Sequence, residues 1–198
     1  MENLIELVDG FYWPKTGGKS CREITIIRRG TPESISKYCK NFNIVITAGG
    51  NVGYYAKIYA KIFKKVYTFE PDTINFQCLT LNVTEKNVIK THGALGNNNE
   101  KIGLSTHCDD CGAWRVTGSG DIQTYKIDDL NLQELNLIAL DVEGFEVEVL
   151  KGAINSINKF RPIISAEIDH INCSDFLVGI GYKKIDEING DYVFKYNE

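Results

Sequence analysis

Four carboxylates fall where an α/β chain delivers side chains to a ligand. Glu70 closes Lys65-Val66-Tyr67-Thr68-Phe69, Asp141 closes Leu137-Ile138-Ala139-Leu140, Glu143 follows in the next turn, and Glu167 ends Pro162-Ile163-Ile164-Ser165-Ala166. A carboxylate so placed accepts hydrogen bonds from hydroxyl groups or takes a proton as a general base. His170, three positions after Glu167, adds an imidazole whose charge changes near neutral pH. Asp141, Glu143, Glu167 and His170 are therefore the candidates for moving a proton.

Upstream lies the stretch Ile44-Val45-Ile46-Thr47-Ala48-Gly49-Gly50-Asn51-Val52-Gly53-Tyr54-Tyr55. Its β-branched apolar start reads as a buried parallel strand, and its glycines as a tight turn. Apolar residues then resume at helical spacing: Tyr55, Ile58, Tyr59 and Ile62. The start of a helix offers free N–H groups and a positive dipole end, so this strand–turn–helix suits a nucleotide-like ligand. Glu70 lies 17 positions after Gly53, near the roughly 20-residue interval at which an acid meets ribose hydroxyls in dinucleotide-binding folds.

The elements that must hold these residues alternate. Glu23 to Arg28 reads as a short strand. Thr31-Pro32-Glu33 starts a helix, with Thr31 as cap and Pro32 in the first position. After Glu70, a helix with Pro71 in its first turn runs through Ile74, Cys78 and Leu81. Asn87–Thr91 is a third strand, the polar, glycine-rich stretch 103–120 a loop or hairpin, and Ile127–Leu130 a short helix. One helix is expected from Val147 to Ile157 and another around Phe176-Leu177. Tyr182–Glu187 and Asp191–Tyr196 flank Asn189-Gly190, a strong hairpin signal. Alternating strands and helices imply an α/β sandwich on a mostly parallel sheet, with ligands at the C-terminal strand ends. Residues 1–22, with the aromatic cluster Phe11-Tyr12-Trp13, carry no clear pattern and read as an arm or lid.

Composition bounds the answer. A length of 198 residues, 43% of them hydrophobic, fits a single globular domain: 1–40 as N-terminal arm or lid and 41–198 as the cofactor-binding core. The net charge is −4 and the basic residues fall in short pairs such as Arg28-Arg29. These read as solvated faces, so nothing in the charge balance asks for nucleic acid. No apolar run is long enough to span a membrane and the N-terminus lacks the features of a signal peptide, so a cytoplasmic protein with reduced cysteines is expected. Cys108-x-x-Cys111 has no second pair to complete a zinc site. Sequence spacing says nothing about an oxygen-ligated ion at Asp141, and no metal is assigned.

The ordered motifs Gly-Gly-Asn-Val-Gly-Tyr-Tyr, Phe-Glu-Pro, Gly-Ala-Leu-Gly, Ile-Asp-Asp-Leu, Asp-Val-Glu-Gly with Glu-Val-Leu-Lys-Gly-Ala, and Arg-Pro-Ile-Ile-x-x-Glu cover Asn43 to Glu167. In that order they resemble the FkbM-type S-adenosylmethionine-dependent methyltransferases. The resemblance implies a Rossmann-like class I methyltransferase fold, a mostly parallel seven-stranded sheet closed by an antiparallel C-terminal hairpin. It implies S-adenosyl-L-methionine as cofactor, with Gly49, Asn51 and Gly53 on its methionine and ribose side. Glu70 would hold the ribose, Gly93 and Ala94 would border the adenine, and Asp141 would stand near the methyl group. Thr47 occupies the position where the family usually has an acid. A hydroxyl cannot supply that charge, so weaker cofactor affinity or compensation by Asp141 is expected.

The resemblance points to an O-methyltransferase acting on a hydroxyl of a carbohydrate or small metabolite. Two alternatives stand beside it. Ala48-x-Gly50-x-x-Gly53 with Glu70 is one substitution from an NAD fingerprint, hence an NAD-dependent oxidoreductase. The other is a catalytically silent S-adenosylmethionine-binding protein, for which Thr47 is the hint.

Overall fold

The computed structural model describes residues 4–106, 110–167 and 171–197. The chain opens with a hairpin, β1 (Ile5–Val8) and β2 (Phe11–Pro14), followed by α1 (Gly18–Ile27) and α2 (Thr31–Ser36). Then come β3 (Ile44–Ala48), α3 (Tyr54–Ile62), β4 (Lys65–Glu70), α4 (Thr73–Asn82) and β5 (Val88–His92). An excursion follows: β6 (Ala94–Leu95), β7 (Lys101–Ser105), β8 (Arg115–Tyr125) and a 3-10 turn, Ile127–Leu130. The chain ends with β9 (Leu137–Leu140), α5 (Glu146–Lys151), α6 (Ile154–Phe160), β10 (Ile163–Glu167), α7 (Ile171–Gly179), β11 (Tyr182–Ile188) and β12 (Asp191–Tyr196).

Seven strands form the main sheet in the order β11-β12-β10-β9-β3-β4-β5. β12 runs antiparallel to both its neighbours, and the pairs from β10 to β5 are all parallel. The expected architecture is therefore present. Because side chains alternate across a strand, Val45 and Leu137 point to one face while Ile46, Ala48, Ile138 and Leu140 point to the other. On the first face they meet Ile35 of α2, Tyr59 of α3 and Leu79 of α4; on the second, Val149, Leu150, Ile157 and Leu177 of α5, α6 and α7. Burial on both faces is why these strands read as continuous apolar runs. From β3 the chain moves outward through β4 and β5, then returns to β9 on the other side of β3. That reversal places a crevice at the ends of β3 and β9, where ligands settle in open α/β sheets.

Several local expectations need correction. Glu23–Arg28 is not a strand: Glu23 to Ile27 lie in α1 and Arg28 caps its end, its N–H bonded to Ile24 O at 2.9 Å. Its β-branched residues favour a strand only when a sheet receives them, and none does: Ile24, Ile26 and Ile27 stay exposed. Gly30, not Thr31, caps α2, and the Thr31 hydroxyl donates to Arg28 O at 2.7 Å. Helix α4 begins after Pro71, capped by Asp72, whose Oδ1 accepts from Ile74 N at 2.9 Å and Asn75 N at 2.8 Å. The expected 147–157 helix is two. Asp128 caps the second from outside, its carboxylate accepting from Asn155 N at 3.1 Å and Ser156 N at 2.8 Å.

The N-terminal segment is an arm packed on the sheet unit. Trp13 and Cys21 are buried with Val52, Cys78 and Cys111. One side chain clips the arm down: Asn82 Oδ1 accepts from Tyr12 N at 2.7 Å, and its Nδ2 donates to Tyr12 O and Val52 O at 2.8 Å each. Asn82→Ala leaves these buried backbone groups without partners. It is expected to cost about 2 kcal/mol and to raise hydrogen exchange across 5–14; unchanged exchange there would show that apolar packing alone holds the arm.

Candidate functional site

The turn after β3 is built from close backbone contacts. Gly49 N and Gly50 N both donate to Phe69 O, at 3.1 and 2.8 Å, and Asp141 N donates to Ala48 O at 3.0 Å. Gly49 has φ +84°, and a Cβ there would lie 1.9 Å from Asp141 O. Only a glycine lets the ends of β3 and β9 approach this far. Gly53 caps α3. Asn51, with φ 47°, turns its N–H to Glu70 Oε2 at 2.6 Å.

Glu70 also accepts from Asp72 N, through Oε1 at 2.8 Å, so one carboxylate ties the glycine turn to the start of α4. The residue is 4% exposed. Burial pushes its carboxyl up to about 8, with Asp72 adding repulsion and the backbone hydrogen bonds from Asp72 and Asn51 opposing. Beside it Asn75 is buried, and its Oδ1 has no hydrogen-bond partner. Asn75 was not anticipated from sequence, because it is one of several polar residues in α4, with Thr73, Gln77, Thr80 and Asn82, and nothing marks it as turned inward.

Two cavities meet at this turn. The first encloses about 570 Å³ of empty space, counting its open mouth, and is lined by Glu70, Asn75, Phe69, Ala94, Leu95 and Phe145 among others. The second, about 890 Å³ on the same measure, is lined by Arg28, Tyr54, Tyr55, Asp110, Glu143 and Glu167 among others. Gly49, Asn51, Gly112 and Asp141 line both. Gly53, Gly93 and Thr47 line neither. Gly93 sits directly before Ala94, where a Cβ would meet Gln123 O at 2.6 Å. Thr47 faces into the sheet, its hydroxyl 2.8 Å from that of Thr68.

The second cavity holds the acids. Carboxylate oxygens of Asp141, Glu143 and Glu167 lie within 4.8 Å of one another, a spacing that a cation could bridge. A second such group joins Cys21, Asp110 and Cys111. Glu143 sits in the left-handed region at φ 52°, a strained setting for a side chain that aims into a cleft. Arg28 donates to Glu167 Oε1 at 2.6 Å. Burial pulls the guanidinium down, but that hydrogen bond and the charges of Glu167, Asp141 and Asp191 more than restore it. Asp141 is exposed to the cleft. Desolvation by the surrounding protein and then the charges of Glu167, Asp191 and Glu143 push its carboxyl above the ordinary range, with Arg28 opposing. Asp191 is pushed up to about 7, first by burial. His170 lies outside the described residues, as does Cys108.

Arg28, expected on a solvated face, lines the cavity instead, because it leaves the end of α1 beside β10. The raised carboxyls also set a pH dependence. In the folded chain Glu70 and Asp191 keep their protons to higher pH than in the unfolded chain, so the unfolded state deprotonates first. Stability is then greatest below the ordinary values of 4.5 and 3.8 and falls as pH rises toward about 8 and 7. The slope is at most about 1.4 kcal/mol per pH unit for each group. Thermal unfolding between pH 5 and 8 should show Tm declining; a rising Tm would mean that both acids are ionised at little cost.

The methyltransferase FkbM domain family matches residues 47–189. No curated protein matches the chain. Among solved structures, methyltransferase FkbM from Methylobacillus flagellatus superposes with a TM-score of 0.52 at 17% identity, over 79% of this chain and 44% of that one. The chain thus spans less than half of that protein. Precorrin-6y C5,15-methyltransferase from Geobacter metallireducens gives 0.52 at 9% identity, over 96% and 97%. An rRNA methylase from Streptococcus thermophilus gives 0.50 at 11%, over 84% and 95%. At these identities the likeness establishes the fold, that of the class I methyltransferases, while the family match covers most of the chain. The chain belongs to the methyltransferase FkbM domain family.

Proposed function

We propose that the chain is an S-adenosylmethionine-dependent O-methyltransferase whose acceptor is a hydroxyl of a carbohydrate or small metabolite. The observation that carries this reading is the pairing of two cavities across a shared floor of Gly49, Asn51 and Asp141. The first cavity fits the cofactor. Glu70 and the unpartnered Asn75 Oδ1 offer buried acceptors for ribose hydroxyls, and apolar Phe69, Ala94 and Leu95 suit a base. When bound, the sulfonium supplies an electrophilic methyl group.

The chain's own work is to hold the acceptor and manage its proton. Asp141 stands where the cavities meet, and its raised basicity suits removal of a hydroxyl proton near neutral pH. Glu143 and Glu167 flank it. Arg28, held by Glu167, orients the acceptor through its remaining donors. Four acids, Asp110, Asp141, Glu143 and Glu167, line the second cavity against one arginine. That balance repels phosphate and favours an uncharged polyol over nucleic acid.

Thermal unfolding with S-adenosylmethionine, its demethylated product and NAD tests the cofactor. A ligand at a hundred times its Kd stabilises by about 2.7 kcal/mol, a rise of roughly 5–10 °C for this length of chain. The sulfonium pair should give that rise and NAD none. Transfer of labelled methyl to saccharides and polyols, with RNA in parallel, tests the acceptor. Label in RNA alone would overturn that half of the reading.

A further inference from the structure

A second group of ligating side chains borders the two cavities but is not used by the proton-moving acids described above. Cys21 in α1 and Cys111 ahead of β8 are 90 positions apart in sequence, yet both are buried, at 5% and 6% exposure. Their backbones are brought together by one acceptor, since Cys21 N and Cys111 N both donate to Gly17 O, at 3.3 and 3.4 Å. The two sulfurs and a carboxylate oxygen of Asp110 lie within 4.8 Å of one another. Asn51 adds a fourth atom: its Oδ1 is 3.6 Å from Cys21 Sγ and 3.8 Å from Cys111 Sγ.

The two Asn51 oxygen–sulfur distances match the edges of a coordination tetrahedron, and the pairs among Cys21, Cys111 and Asp110 lie within 4.8 Å. The Asn51 amide nitrogen, 3.3 Å from Cys21 Sγ, must turn aside for the oxygen to ligate. Zinc binds sulfur at about 2.3 Å and oxygen at about 2.1 Å in a tetrahedron, so its S···O edges are about 3.6 Å and its S···S edges about 3.8 Å. Two thiolates make the site selective for a borderline-soft cation and unsuited to magnesium or calcium. From this geometry we propose that Cys21, Cys111, Asp110 and the Asn51 amide oxygen form a tetrahedral site for zinc or a cation of its class. Binding forms two metal–sulfur bonds and releases the two thiol protons to solvent, with no change of oxidation state. The site joins α1, the glycine turn and the segment before β8, three pieces that otherwise meet through side-chain packing and a few hydrogen bonds.

The test is cobalt titration of the reduced, chelator-treated full chain, followed by zinc. Cobalt should bind one per chain, with a thiolate charge-transfer band in the near ultraviolet and the intense visible bands of a tetrahedral centre, both bleached by zinc. Cys21→Ser and Cys111→Ser should each weaken binding at least about 100-fold and remove about half of the charge-transfer intensity. Because either change alters a buried position, Asp110→Asn serves as the second variant. It should keep the native circular dichroism and raise the cobalt Kd by about 10–100-fold. Absence of the charge-transfer band in the wild-type chain overturns the proposal. So does an affinity unchanged by Asp110→Asn, or conversion of the two thiols to a disulfide in a chain that takes up no metal after reduction.

Discussion

Gly49→Ala is expected to destabilise the chain by about 3 kcal/mol or more and to abolish cofactor binding. The new methyl group would sit 1.9 Å from Asp141 O and 2.9 Å from its carbonyl carbon. Both are backbone atoms, so no side-chain rotation relieves the clash. The ends of β3 and β9 must separate, breaking the 3.0 Å bond from Asp141 N to Ala48 O and moving the floor common to both cavities. The positive φ adds strain for any residue with a Cβ. Gly118→Ala is the matching control. Nothing lies within 4 Å of a Cβ there, and its effect should stay within about 0.5 kcal/mol. Denaturant unfolding of both variants checks the contrast, and equal stabilities would refute the close-approach argument.

Glu70→Ala should be nearly as damaging, for a different reason. It removes the acceptor of two N–H groups, Asn51 at 2.6 Å and Asp72 at 2.8 Å, at a residue only 4% exposed. Leaving both unpaired costs roughly 2–5 kcal/mol. Under its proposed ribose role, binding of S-adenosylmethionine should fall at least about 100-fold, since the ribose loses a buried acceptor and the turn loses its tie to α4. Glu70→Gln separates the two effects. Its amide oxygen still accepts one N–H, so stability should recover in part while affinity stays low. Calorimetric affinity at the wild-type level in Glu70→Gln would place the ribose elsewhere.

How much of this was legible in the sequence depended on whether a residue's role was local. The parallel strands were readable because burial on both faces demands unbroken apolar runs, as in Ile44–Ala48 and Leu137–Leu140. Glu70 was singled out by its distance from the glycine turn, and it does reach that turn, accepting from Asn51 N. The closing hairpin was readable from Asn189-Gly190, which adopt φ 51° and 97°. Asp9-Gly10, at 52° and 79°, carry the same signal for β1 and β2, but the aromatic cluster beside them drew the reading toward an undefined arm. Arg28 was out of reach. Its partner Glu167 is 139 residues away, and a basic pair after isoleucines has no local mark of burial. The misreading of 23–28 as a strand belongs to the same cause, because β-branched residues accept a helix whenever no sheet edge is offered.

Every residue lining the first cavity comes from Gly49 or later, inside the stretch that the family shares. The second cavity also takes Cys21, Ile24, Thr25 and Arg28 from the arm, ahead of that stretch. The stretch matched by the family thus supplies the whole lining of the first cavity and only part of that of the second. A change confined to the arm reshapes the wall of the second cavity and leaves the lining of the first in place, so the two cavities can be altered separately.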